Sequence, residues 1–325
     1  MSSTPQHQGG SFLTVGCVLR ESLPVTLHFV SWYLREGADR IILSFDDPDD
    51  AAIAILKDHP NVDCIPCTEA FWQSIGINPA VRFARRQNLV MSHFYKLQSA
   101  GWFFYVDGDE LLHLKGRTLR AELEATPKDI RSVTFQPAEH IQSPEVPGAA
   151  QFRLAMSRPE VRRVYGPQAG LMQKRQGLSG HTIGKTANRA GQTGLTMRQH
   201  FMQHPDGTVV MDRVLGPAEG AYLLHFFDQG YDIWRAKLPW RLASSGFPGR
   251  IKVVLNEMLA LEDPEPALRA LYDQMHVFDN ARLAELADCG ACLALDMDRE
   301  ALIRQYFPAH VDALHTAVRY AEDPS

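Results

Sequence analysis

The chain has 325 residues, a hydrophobic content of 45% and a formal net charge of -5 at pH 7. This length and composition suit a sizeable buried core, in one large domain or two modest ones. Acidic and basic residues are mixed along the chain, which excludes the basic face that a nucleic-acid partner requires. No run of about eighteen apolar residues is present, which excludes a transmembrane helix and leaves peripheral contact with a membrane-bound acceptor open.

The first ten residues are small and polar, and they lack the apolar stretch of a secretory signal. We therefore predict that residues 1–10 form a disordered lead and that the protein is cytoplasmic. The five cysteines fit this location, because an odd number in a long chain is more typical of reduced thiols than of a disulfide framework.

The first predicted elements form a βαβ unit. An apolar run of strand length, Phe12 to Leu19, is followed by the helix-start signal Ser22-Leu23-Pro24. Gly37 then marks the end of the helix, before a second apolar run from Ile41 to Phe45. Ligands collect at the carboxyl ends of parallel strands, so Asp46, directly after the second run, is a candidate binding residue.

A second long helix is predicted to open at Asn78-Pro79 and to close at Gly101. The run Trp102 to Val106 that follows is continuous and bulky, as expected for a strand covered on both faces. It leads directly into Asp107-Gly108-Asp109-Glu110. This junction, where acidic residues directly follow a buried strand, is the strongest indication of a functional site in the sequence.

Asp107 and Asp109 are separated by a single glycine, so both carboxylates can point to the same side of a tight turn. Such a pair suits a hard divalent cation, Mn or Mg, whose open positions can bind the oxygens of a substrate diphosphate. The alternative is an ordinary solvated turn, because aspartate and glycine are common turn residues.

The remaining chain is predicted to contain a short helix after Thr118 and a loop-rich stretch from residue 150 to 220, where glycines and basic residues are scattered. A further helix is predicted from Tyr231 to Arg241. From Ile251 onward the pattern is mostly helical.

Arg82, Arg85 and Arg86 lie at i, i+3 and i+4 of the second predicted helix, so they share one helix face. That face could meet a diphosphate. A charge cluster of this kind is equally typical of a solvated surface, and both interpretations stay open.

The segment Tyr105 to Leu111 resembles the strand-end D-x-D-E motif of the bacterial branch of the family two glycosyltransferases. The resemblance covers residues 12–114 and 224–241. It implies an α/β fold of the Rossmann-like GT-A type, with a mostly parallel sheet flanked by helices. We predict a GT-A domain at residues 11–245, with a donor and metal half at 11–115 and an acceptor half at 116–245, and a helical C-terminal extension at 246–325.

In that family, the end of the first strand holds the nucleotide base, a role that the resemblance assigns to Leu19, Arg20 and Glu21. Arg20 stands where the branch usually has asparagine, so the identity of the base stays open. Asp46 resembles the aspartate that meets the base or ribose, and Arg86-Gln87 resembles an R-Q pair of the branch. The alternatives are an acid favoured by a helix N-terminus for Glu21 and a turn acid for Asp46.

His225 ends an apolar run and, with the aromatic residues after it and Lys237, resembles the late histidine motif of the branch. The resemblance implies that His225 completes the metal shell of Asp107 and Asp109, and that Lys237 neutralises phosphate. The alternative for His225 is a core histidine with a satisfied hydrogen bond.

Lys185 and His200 lie in a stretch that resembles a weaker G-K and R-x-H pattern of the branch, where acceptor or phosphate contacts occur. An inverting transfer needs a base beside the acceptor hydroxyl. The side chains able to serve are those of His200, His204, Asp206 and Glu139. We favour His200 for its position after the aspartate motif.

These features predict a metal-dependent glycosyltransferase that moves a sugar from a nucleotide-diphosphate sugar to a hydroxyl of a glycan or other acceptor, with the inversion of configuration that the resemblance implies. The alternatives are a metal-dependent nucleotidyltransferase on the same fold and a non-catalytic nucleotide-sugar-binding protein. The segment Gly180 to Thr186 looks like a P-loop, but it has three residues between its glycines where a P-loop has four. We therefore exclude a P-loop nucleotide hydrolase or kinase.

Overall fold

The structure, a computed structural model, describes residues 12–243 and 246–311. The predicted disordered lead at residues 1–10 lies outside the described residues. The fold is mixed α/β and Rossmann-like, with a large, parallel-rich sheet flanked by helices, which confirms the predicted fold class. Within the described ranges, no helix combines the length and the apolar character needed to cross a bilayer.

The strands are β1 (Leu13–Leu19), β2 (Arg40–Phe45), β3 (Val62–Pro66), β4 (Trp102–Tyr105), β5 (Glu110–Leu114), β6 (Ser132–Phe135), β7 (Pro137–Ile141), β8 (Ala150–Arg153), β9 (Lys185–Arg189), β10 (Thr196–Met197), β11 (Met202–Gln203), β12 (Val209–Val210), β13 (Arg213–Leu215), β14 (Ala221–His225) and β15 (Cys292–Leu295). The α-helices are α1 (Leu23–Arg35), α2 (Ala51–Leu56), α3 (Glu69–Ser74), α4 (Phe83–Lys96), α5 (Leu119–Glu124), α6 (Arg158–Tyr165), α7 (Ala169–Met172), α8 (Tyr231–Ala243), α9 (Gly249–Leu259), α10 (Glu265–His276), α11 (Asn280–Asp288) and α12 (Arg299–Tyr306).

Contacts divide the chain into two compact units. The first unit comprises the described parts of residues 1–136, 184–222 and 298–325, and the second comprises residues 137–183 and 223–297. The predicted domain boundaries stay a prediction. The last helix, α12, belongs to the first unit, where it contacts α1.

The main sheet of the first unit has, among the described residues, seven strands in the order β13-β6-β9-β4-β1-β2-β3. Strand β1, an interior strand of the sheet, pairs in parallel with β2 on one side and with β4 on the other. In this register Leu19 lies beside Phe45, and Gly16 lies beside Tyr105. The carboxyl ends of β1, β2 and β4 therefore lie along the same edge of the sheet.

Helix α1 confirms the predicted βαβ unit. It begins at Leu23 with proline in its first turn, and Gly37 follows its end at a φ of 90°, a left-handed conformation that glycine adopts without steric cost. Two of its buried aromatic residues support the strand after the aspartate turn. Trp32 donates from Nε1 to the Leu112 carbonyl at 2.8 Å, and the Tyr33 hydroxyl donates to the Glu110 carbonyl at 3.0 Å. These bonds fix β5 relative to α1.

The predicted start of the second long helix at Asn78-Pro79 is wrong, since α4 begins at Phe83. The Asn78 side chain accepts a hydrogen bond from the Ala80 amide at 2.8 Å, which stabilises a local turn in place of a helix cap. The helix also ends before the predicted Gly101, which instead turns the chain into β4 at a φ of 87°. A Cβ on Gly101 would lie 2.2 Å from the Phe12 carbonyl oxygen, so only glycine fits there.

In the second unit, β7 pairs in parallel with β14 and antiparallel with β8, and β8 pairs antiparallel with β15. Strand β15 lies inside the region predicted to be mostly helical. Gly290, at a φ of 63°, follows the end of α11 and turns the chain, so Cys292 to Leu295 become a strand. Four apolar residues without alternation carry no period that separates a strand from a continuing helix.

Candidate active site

The predicted donor-binding residues of the first unit collect at one edge of the main sheet. Leu19 ends β1, Glu21 follows it, Asp46 follows β2, and Asp107 lies just beyond β4. The chain leaves β1 for β2 on one side and returns to pair β4 on the other, which makes this edge a topological switch point. Open α/β sheets bind ligands in the crevice at such a point.

Asp107 is held by three side chains from different parts of the first unit. Its Oδ2 accepts hydrogen bonds from Lys185 Nζ at 2.6 Å and from Gln199 Nε2 at 3.2 Å, and its Oδ1 accepts from Gln87 Nε2 at 3.2 Å. Its backbone amide donates to Glu110 Oε2 at 2.9 Å. The orientation of this carboxylate is therefore strongly constrained.

Lys185 supplies a buried positive charge to this cluster. Its side chain is 0% exposed, and Nζ lies 2.6 Å from Asp107 and 3.3 Å from Glu110. Burial alone would lower the pKa of the Lys185 ammonium, but the two carboxylates outweigh it and raise the pKa above its ordinary value. The lysine was predicted to contact phosphate or acceptor, which stays a prediction. In the structure its ammonium binds the aspartate motif.

Gly108 brings the aspartate turn against the end of β1. A Cβ at this position would lie 2.9 Å from Glu21 Cγ and 3.0 Å from Leu19 Cδ2, so any larger residue would push the turn away. Cys17 lies beneath the same turn. Burial raises the pKa of its thiol, and the negative charges of Asp107, Glu21 and Asp109 raise it further. Three carboxylates thus converge at the switch point.

The converging carboxylates provide the hard oxygen donors that Mg and Mn prefer. Asp107 Oδ2 accepts from the Lys185 ammonium, whereas Oδ1 accepts from the neutral Gln87 amide, so Oδ1 is the better candidate donor to a cation. Asp109 and Glu21 add two carboxylates that are only partly buried. The residues present therefore fit a divalent cation.

The second unit contains a pair of histidines that could also bind a metal. One ring nitrogen of His181 and one of His225 lie within 4.8 Å of each other, and the two rings stack with centroids 5.0 Å apart. Imidazole nitrogens are common ligands of divalent transition metals. The predicted place of His225 in the metal shell of the aspartates stays a prediction, as does the predicted phosphate contact of Lys237, a partly buried residue of α8.

Asp46 and Arg86, two predicted donor contacts, form an ion pair with each other. Arg86 donates from one nitrogen to both Asp46 oxygens, at 2.8 and 3.0 Å, and from another to the Pro79 carbonyl at 2.8 Å. These bonds tie the turn before α4 to the end of β2. Arg82 and Arg85 are exposed, so the three arginines do not act as one cluster. Contacts of Asp46 or Arg86 with a nucleotide stay predictions.

His200, the favoured base, has a defined tautomer. Its Nδ1 lies 2.8 Å from the Gly184 carbonyl oxygen, which can only accept, so Nδ1 carries a proton, and in the neutral imidazole Nε2 carries the lone pair. Its own carbonyl accepts from the Thr186 hydroxyl at 2.6 Å. The preceding residue, Gln199, contacts Asp107, so His200 follows directly in sequence a residue that holds the aspartate motif.

Glu139, another base considered from the sequence, is poorly suited to that role. It is 1% exposed and accepts hydrogen bonds from Arg153 and from the Ser179 and Gly180 amides. Burial alone would raise the pKa of Glu139, but Arg153 and His225 reverse the effect and lower it. A carboxylate stabilised in this way is a weak proton acceptor.

Sequence reasoning missed Gln199 and the role of Glu110. Glu110 belongs to the D-G-D-E motif, so its position was visible, but nothing indicated that it binds the Asp107 amide and Lys185. Gln199 is 92 residues from Asp107 along the chain, and only its position beside His200 could have drawn attention to it.

Comparison with protein-family models gives no match, and comparison with curated proteins gives none either. Among solved structures, HddC from Yersinia pseudotuberculosis aligns with 43% of this chain and 67% of its own, at 15% identity and a TM-score of 0.27. The bifunctional glycosyltransferase WbbM, in its apo form, aligns with 42% of this chain at 11% identity and a TM-score of 0.27. The alignment spans only 24% of WbbM.

Proposed function

We propose that the chain is a metal-dependent glycosyltransferase that transfers a sugar from a nucleotide-diphosphate sugar to a hydroxyl of a glycan or other acceptor. The observation that carries the proposal is the approach of the Asp107-Gly108-Asp109 turn to Glu21 at the switch point between β1 and β4, where Gly108 packs against the Glu21 and Leu19 side chains. This is the part of an α/β sheet where nucleotides bind.

The charge of the cluster supports metal dependence. Asp107, Asp109, Glu110 and Glu21 are four acids, and Lys185 with the neighbouring Arg20 supplies two positive charges. The excess is negative, so a diphosphate would be repelled from this edge unless a cation intervened. A divalent cation held by Asp109 and Asp107 would offset the charge that develops on a departing nucleoside diphosphate.

The protein's own side chains would orient the metal-binding carboxylate and take up the proton of the acceptor. Lys185 neutralises Asp107 and holds it in one orientation, which prepares the site before the substrate binds. His200, with its lone pair on Nε2, would accept the proton of the acceptor hydroxyl as that oxygen attacks the anomeric carbon. Inversion of configuration follows from a single displacement of this kind.

The proposal is tested by incubating the protein with a panel of nucleotide sugars and Mn, with and without EDTA. Release of free nucleoside diphosphate that EDTA abolishes supports glycosyl transfer or the accompanying donor hydrolysis. In a parallel incubation with a nucleoside triphosphate and a sugar 1-phosphate, release of pyrophosphate would instead identify a nucleotidyltransferase. Binding of a nucleotide sugar without turnover, with any acceptor tried, would favour a binding protein.

The replacement His200→Gln is expected to lower turnover by about 10²- to 10⁴-fold, the usual contribution of a positioned acid or base. A glutamine amide can donate and accept hydrogen bonds but is not basic enough to take the proton. The donor KM is expected to stay within about threefold, since binding and proton transfer are separate contributions. A matched control is His93→Gln, in the last turn of α4. Equal activity of the two variants would exclude His200 as the base.

A further inference from the structure

The second unit contains a cavity of about 810 Å³ between the end of β7, the start of β8, the start of α8 and one face of α10. Its volume lies within the range of ligand sites, about 300 to 1,000 Å³. We infer that this cavity is a binding site for a neutral saccharide. The inference does not rest on the proposed function, since all of the lining residues belong to the second unit.

Aromatic ring surface forms part of the wall. Tyr231 and Tyr272 both line the cavity, with their ring centroids 5.3 Å apart. Their hydroxyls are bound elsewhere, Tyr231 to Glu265 at 2.7 Å and Tyr272 to Asp228 at 2.9 Å. Tyr272 is only 2% exposed, so the ring surface that a ligand can reach is that of Tyr231, which is partly exposed and lies beside the Arg269 guanidinium. Such a ring edge can pack against the C–H face of a sugar.

Amide side chains supply the polar contacts. Gln142, Gln151 and Gln274 line the cavity, and an amide offers both donors and an acceptor, which matches a hydroxyl group. Among the described residues, no protein group bonds to the side-chain amides of Gln142 and Gln274. Their backbones are held, because the Gln142 amide donates to the His276 carbonyl and the Gln274 carbonyl accepts from Arg282. The fold thus fixes the backbones from which the two side-chain amides extend, and a ligand can reach both amides.

The charges of the lining cancel. Arg269 lies 3.5 Å from Asp273, and Arg282 donates to the carbonyls of Val277 and Gln274, near the second acid, Asp279. Two arginines and two aspartates leave no excess positive charge for a phosphate or sulfate. A neutral, hydroxyl-rich ligand suits this cavity better than a nucleotide diphosphate does.

The test is binding of the full chain to a printed array of neutral and sulfated oligosaccharides, followed by calorimetric titration of the strongest neutral trisaccharide. We expect saturable binding of neutral members, and about two- to tenfold weaker binding by Gln274→Ala, the cost of one lost hydrogen bond. Gln142→Ala serves as a second variant. Gln305→Ala is the matched control, because Gln305 is also exposed near the end of a helix but lies in α12, outside the cavity.

Retention of sulfated members only, or of none, would overturn the inference. The same holds if both cavity variants bind the neutral trisaccharide as tightly as the Gln305→Ala control does. Neither result would affect the proposed function, which is judged by nucleotide-sugar turnover. If the protein binds neutral trisaccharides but turns over none of the nucleotide sugars, the cavity inference stands and the proposed transferase function is contradicted.

Discussion

Asp109→Asn is expected to lower metal-dependent turnover of a nucleotide sugar by at least about 10²-fold, the scale of several kcal/mol of transition-state stabilisation by a metal. Asparagine keeps the shape of the side chain and removes its charge, so the cation loses an anionic ligand at the switch point. The measurement is the rate of nucleoside diphosphate release over a range of Mn concentrations. A higher Mn requirement together with a lower maximal rate is the expected pattern.

Two controls separate this effect from a general loss of structure. Asp58→Asn removes an exposed acid elsewhere in the first unit and should leave the rate unchanged. Thermal unfolding of Asp109→Asn without metal should match the wild type, because Asp109 is only partly buried. An Asp109→Asn protein that turns over at the wild-type rate would contradict the proposed metal role.

The second large effect concerns stability. Lys185→Met is expected to lower the free energy of unfolding by about 3–5 kcal/mol, the cost of leaving a buried charge without its partner. Asp107 and Glu110 would then face each other without the ammonium that now lies 2.6 and 3.3 Å from them. Urea unfolding at fixed pH measures the loss. If the free energy of unfolding falls by less than about 1 kcal/mol, the ion pair of Lys185 is no stronger than an exposed surface salt bridge, which contradicts the prediction.

The contribution of Lys185 to the free energy of unfolding is expected to depend on pH. Lys185→Met lacks the stability that the protonated ammonium adds to the wild type. In the wild type the folded-state pKa of Lys185 is raised, so the stability it adds is present below the unfolded pKa of about 10.4 and is lost as the pH rises through the folded value.

The double variant Asp107→Asn with Lys185→Met tests whether the two residues act as a pair. Removing both members should cost less than the sum of the two single changes, because Glu110 is then the one carboxylate of this pairing left without the ammonium. Additive losses would mean that the 2.6 Å contact contributes nothing of its own to folding.

Sequence patterns located the βαβ unit, the buried strand before the aspartates and the turn at Asp107 to Glu110, and the structure has strands and helices at these places. Each depends on interactions within a few residues: apolar runs of strand length, proline in the first turn of α1, and glycine at positive φ after it. The error in the predicted start of α4 also has a local cause. Asn78 favours both a helix cap and a turn, and the sequence does not distinguish them.

The partners of those residues were decided by the tertiary structure alone. Lys185 and Gln199 reach Asp107 from 78 and 92 residues away along the chain, and Arg86 reaches Asp46 across 40. No periodicity encodes such distances, because they follow from the order in which strands join the sheet. The sequence by itself determined that acids stand at the tip of a buried strand. The pairing of β9 with β4 brings the buried Lys185 ammonium to Asp107, which the sequence did not indicate. The two charges pair because a buried charge without a partner is strongly unfavourable.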